Sequence, residues 1–89
     1  MTKVKVEKLS EKEIQERGIK SWPIWEKEVS TFDWYYDETE QCYFLEGKVI
    51  VETDEGSIEI GKGDFVTFSQ GLKCVWKILE PVRKHYRFI

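Results

Sequence analysis

Residues 32–63 read FDWYYDETEQCYFLEGKVIVETDEGSIEIGKG, and the rest of the chain is arranged around them. Two strand-like runs, residues 41–45 and 48–52, meet at Glu46-Gly47. Asp54-Glu55-Gly56 has the composition of a hairpin turn, where short acidic side chains bond the local backbone and glycine takes positive φ. A return strand over residues 57–60 then ends at Gly61-Lys62-Gly63-Asp64. Glu40 opens this unit, and Gly47 follows after six intervening residues.

The pattern extends in both directions. Val4 and Val6 alternate with Lys3, Lys5 and Glu7, which predicts a short strand with one buried face. Ser10 and Glu13 form a capping box, flanked by Leu9 and Ile14 as a hydrophobic staple. They predict a two-turn helix near residues 11–17, stopped at Gly18 by a left-handed conformation. Ser21-Trp22-Pro23-Ile24-Trp25 is an extended aromatic segment suited to core or dimer packing, with Pro23 at an edge or a strand start. Further strands are expected at residues 26–29, 31–36, 41–52, 57–60, 65–68, 74–79 and 83–88. Turns are expected at Asp37-Glu38, Asp54-Glu55-Gly56, Gly61–Asp64, Gln70-Gly71 and Glu80-Pro81. Many short strands at this spacing predict an all-β sandwich or barrel.

Composition narrows the function classes. Eighty-nine residues are expected to form one domain, residues 1–89. A net charge of -3 argues against a nucleic-acid or anionic-membrane surface. No apolar run is long enough to span a bilayer, and the N-terminus is polar, so a cytoplasmic protein is expected. Cys42 and Cys74 lack metal-finger spacing and are expected to be thiols. The chain has no Asn or Ala and is 35% charged, a thermophile-like balance. Aromatic residues make up 15% of so short a chain. That is more apolar surface than one small core hides, and a homodimer is expected.

Glu40 with Gly47, the Gly61–Asp64 turn and Ser69-Gln70-Gly71 together resemble the two motifs of the cupin superfamily. The phrases FDWYYDETEQCYFLEG, CVWKI and RKHY bring it closest to small cupins related to ureidoglycine aminohydrolases and ethanolamine-utilisation cupins. The resemblance implies an all-β, jelly-roll-like cupin barrel with one short N-terminal helix. In that family the first motif carries two histidines, and their slots fall here on Trp34 and Tyr36, or on Asp33 and Tyr35. The histidine slot of the second motif holds Cys74. With every ligand histidine replaced, neither a metal nor any other cofactor is expected.

Strand parity indicates which side chains face the interior. Phe32, Trp34 and Tyr36 share one face; Glu40, Cys42 and Phe44 another; Cys74, Trp76 and Ile78 a third. In the last strand Val82, Lys84, Tyr86 and Phe88 pattern inward, and His85 patterns outward. Charged residues are rarely buried unless paired. Glu40 and Lys84 therefore read either as a structural ion pair or as a polar cluster in an aromatic cavity. Cys42 reads as packing.

The enzymatic reading makes Glu40, Lys84, Cys74 and Tyr36 catalytic, with Glu40 as general base, Lys84 as electrophile or base and Tyr36 as proton donor. Trp34, Trp76, Phe44 and Tyr86 would then bind a small polar organic molecule. The resemblance implies a nitrogenous substrate, although the aminohydrolases use a metal site whose histidines are absent here. Two alternatives stay open. One is a non-catalytic small-molecule-binding module. The other is a metal cupin with degraded ligands, using Glu40, Cys74 and a tyrosine.

Overall fold

Two long strands, β4 (Glu40–Thr53) and β7 (Lys73–Phe88), form the frame of the computed structural model, which describes residues 3–89. They pair antiparallel along almost their whole length, from Glu40 opposite Phe88 to Glu52 opposite Val75. Each is shared between two layers. The first half of β4 lies between β7 and β6 (Asp64–Phe68), which is flanked in turn by β1 (Val4–Lys8). In the same layer β2 (Ile24–Lys27) covers the second half of β7. The second half of β4 pairs with β5 (Gly56–Gly61), and β3 (Ser30–Tyr35) pairs with the first half of β7. The result is an all-β barrel with one short helix, α1 (Glu11–Glu16).

The bend between the layers lies at Glu46-Gly47. As the single strand expected over residues 41–52 requires, the bend is an irregularity inside one continuous strand, where the β4–β7 register shifts three times between Phe44 and Val49. Gly47 has φ +104°, and a Cβ there would lie 2.5 Å from the Pro81 carbonyl oxygen and 2.7 Å from the Val82 Cα. No side chain fits that approach. Glu80-Pro81, expected as a turn, also lies inside a strand. Proline lacks a donor for the ladder, and a bulge is where a strand tolerates it.

The helix begins as its cap predicts: Ser10 Oγ accepts from the Glu13 N–H, and Glu13 Oε1 accepts from the Ser10 N–H, both at 3.1 Å. Gly18 is left-handed at φ +65° and leads into a 3-10 turn, Ile19–Ser21. Strand β2 starts two residues earlier than expected and leaves Val29 outside it, exposed. In β1 Val4 is buried, but Val6, on the same parity, is exposed at the sheet edge.

The interior between the layers centres on Trp76. Its ring meets Phe44 at 6.3 Å, Phe68 at 5.7 Å, Phe32 at 6.0 Å and Trp25 at 5.8 Å. A second cluster lies on the outer face, where Ile14, Ile19 and Trp22 cover Phe65. His85 faces this side. The expectation of an outward histidine needs correcting in one respect, because the ring is buried rather than solvated. Its Nδ1–H donates to the Trp22 carbonyl at 3.0 Å. A carbonyl only accepts, so that nitrogen carries the proton.

Candidate functional site

Alternation along β4 and β7 brings Glu40 and Lys84 to the same inner face. Lys84 is 3% exposed and Glu40 6%, and Nζ lies 3.2 Å from Glu40 Oε2. Nζ also donates to Cys42 Sγ at 3.3 Å. Three rings surround the ammonium: Trp76 at 4.9 Å, Trp25 at 5.0 Å and Phe44 at 5.8 Å. Burying an ammonium costs several kcal/mol, roughly, even after relaxation. One carboxylate and three desolvated cation–π contacts of up to about 2 kcal/mol each are of the size needed to offset it.

Above this pair is a cavity of about 200 Å³. Trp25, Phe32, Trp76 and Tyr36 wall it, and Tyr86 belongs to its lining. Trp34 and Phe88 form its rim, 48% and 45% exposed. Tyr36 is positioned by the turn after β3: its N–H donates to the Leu72 carbonyl at 2.9 Å, and its carbonyl accepts from Gly71 at 2.7 Å. Burial, and then the negative charge of Glu40, push the Tyr36 phenol far above its ordinary pKa, so it keeps its proton.

Of the residues expected at the site, Glu40, Lys84, Tyr36, Trp34, Trp76 and Tyr86 border this one cavity. Cys74 and Phe44 do not. The Cys74 thiol turns to the Trp34 carbonyl, donating at 3.7 Å. Burial raises its pKa to about 11. The Trp76 indole N–H is near the sulfur but makes no hydrogen bond to it. That indole nitrogen is buried without a hydrogen-bond partner. Phe44 lies below the cavity against Lys84. Cys42, read as packing, touches the ammonium; burial pushes its thiol far up, partly opposed by Lys84. None of the three raised groups is an activated nucleophile. Trp25, Phe32 and Phe88 also line the cavity. Parity had already placed Phe32 and Phe88 on inner faces, but nothing in the sequence aligns Trp25 with Lys84, its partner across the β2–β7 ladder.

Residues 14–86 match the EutQ-like cupin domain family. The chain is a EutQ-like cupin. It is similar to a DUF861 family protein of Thermotoga maritima, with 59% identity and a TM-score of 0.94 over 97% of this chain and 99% of that one. A DUF861 family protein of Pseudomonas syringae is 26% identical with a TM-score of 0.67, over 74% of this chain and 29% of that one. The EutQ protein of Clostridium difficile shares the fold at 22% identity and a TM-score of 0.67. That match covers 73% of this chain and 52% of the EutQ protein, so the cupin spans about half the length of that relative. No curated protein matches the chain.

The donors around this cavity do not fit the metal that the family's histidine motifs imply. Among the described residues no three His, Cys, Asp or Glu side chains gather where they could hold an ion. Glu40 already faces a cation at 3.2 Å, and both thiols are held protonated. No helix of the described residues is long and apolar enough to cross a membrane.

Proposed function

We propose that this cupin binds a small organic molecule, about the size of one aromatic ring, in the barrel mouth. The observation that carries the reading is a buried ion pair at the floor of an aromatic cavity with a half-exposed rim. A structural pair needs no such access. Size supports the ligand class: an apolar cavity of about 150 Å³ is enough for benzene, and this one is about 200 Å³. Trp34 and Phe88 would stack on the apolar part of the ligand. Glu40, Lys84 and Tyr36 would meet its polar end. Native mass spectrometry of untagged protein tests this directly. A bound molecule lost in Lys84→Met or Glu40→Gln supports it, and a cavity that takes up no ring compound at millimolar concentration overturns it.

A second reading, enzymatic proton transfer, is favoured by one pair. Tyr36 stays protonated beside the Glu40 carboxylate, which makes a donor and an acceptor facing the same space. Turnover lost in Tyr36→Phe with binding retained would distinguish it from binding alone.

We further infer a single-domain, cytoplasmic homodimer of thermophilic character. Composition supports the last point. For the dimer, Trp22 and Trp25 are engaged within the chain, by Phe65 and Trp76. Edge strand β1 with exposed Val6 is the better candidate face. Light scattering at micromolar concentration should give a dimer that Val6→Lys weakens, and a stable monomer would refute this.

A further inference from the structure

Among the described residues Lys84 is the amine that reaches the cavity from a buried position. A carboxylate lies at 3.2 Å, within reach of direct proton exchange. From these contacts we propose that Lys84 captures small aromatic aldehydes as a Schiff base, with Glu40 carrying the proton. The proposal rests on the pocket reading above and adds a substrate class and a covalent step.

The chemistry needs no further reactant. The ammonium passes one proton to Glu40, which frees the lone pair on Nζ. That pair forms the C–N bond to the carbonyl carbon as the C=O π electrons move to oxygen, which takes the proton back. The carbinolamine nitrogen then gives up a proton to Glu40. The same carboxyl delivers it to the hydroxyl, which leaves as water while the C=N bond forms. The net change is aldehyde plus Lys84 ammonium to protonated imine plus water, with no oxidation or reduction.

The site suits this sequence through its ring cage. The product is again a cation at Nζ, so the rings at 4.9, 5.0 and 5.8 Å and Glu40 stabilise it as they stabilise the ammonium. The cage therefore does not oppose the overall conversion. Desolvated lysines in hydrophobic pockets are a recognised route to Schiff bases.

The test uses the full chain, benzaldehyde and cyanoborohydride near pH 7, with the site of benzylation mapped by peptide mass spectrometry. Benzyl alcohol, which cannot form an imine, is titrated in parallel by tryptophan fluorescence. The expected result is labelling at Lys84 at least about tenfold faster than at the surface lysines, slowed about tenfold or more in Glu40→Gln and absent at that position in Lys84→Arg. Thermal melts check that both variants fold, and Glu40→Gln carries the test if Lys84→Arg does not. If benzyl alcohol binds but label spreads over surface lysines and spares Lys84, aldehyde capture is wrong and the pocket reading stands. If neither compound engages the cavity, both fall.

Discussion

The two layers are built from the same two strands, yet they bring different chemistry to one interior. The layer containing the first half of β4 and the second half of β7 turns Glu40, Cys42, Phe44 and Lys84 inward. The layer made from the other halves turns in Val49, Val51, Cys74, Trp76 and Ile78, with Ile60 beside Val49 and no charge. Strand pairing and alternation are common to both, so neither accounts for the difference. The apolar layer is the wall on which the barrel closes, and the charged layer supplies the polar floor. A small domain has little stability to spare. Confining the desolvated charges to one layer lets the other pack without them.

Four experiments break or sharpen this contrast. The largest effect is expected at the joint between the layers. Gly47→Ala forces a Cβ to 2.5 Å from the Pro81 carbonyl oxygen at φ +104°. It should cost about 4 kcal/mol in urea unfolding, from left-handed strain plus overlap. A loss below about 1 kcal/mol would mean the joint is soft.

Next comes the charged floor. Lys84→Met alone should destabilise by about 3 kcal/mol, because Glu40 is left buried and unpaired. The double variant Glu40→Gln/Lys84→Met should return to within about 1 kcal/mol of the parent while ligand uptake is lost. If the double variant is as unstable as the single, the pair is structural and the contrast between layers loses its functional meaning.

At the rim, Trp34→Ala should leave stability within about 1 kcal/mol, since the side chain is 48% exposed. Affinity for benzyl alcohol should fall about tenfold, the order of one aromatic stacking contact. Unchanged affinity would move the ligand deeper, away from the rim.

The smallest effect concerns pH. The Cys74 pKa is raised from 9.0 to about 11 in the folded state, chiefly by burial. The protonated thiol is thus favoured on folding. Its contribution is complete below pH 9 and disappears as pH rises through about 11. The stability difference between the parent and Cys74→Ala should therefore shift against the parent between those values. Cys42 is present in both proteins, so its own titration cancels. A pH-independent difference would show that the thiol is not shielded.

Much of this was readable in one dimension because it depends on near neighbours. The capping box needs only Ser10 and Glu13 at the right spacing, and the Gly61–Asp64 turn only its own residues. Parity along a strand is equally local, and it put Glu40, Lys84, Trp34, Trp76 and Tyr36 on inner faces. Register and layering were not readable in that way. Whether Glu46-Gly47 and Glu80-Pro81 are turns or the two sides of one bulge depends on whether they lie opposite each other, and residues 34 positions apart carry no local mark of that. The same holds for the two cysteines. Motif position put Cys74 at the site, but the offset between β4 and β7 brought Cys42 to the ammonium and left Cys74 facing a carbonyl. His85 was expected to face out on parity, and it does; that its outer face is covered depends on where Trp22 docks. Alternation is set by the backbone of each strand, whereas the contacts of a side chain are set by what packs over it, and only the tertiary structure decided that.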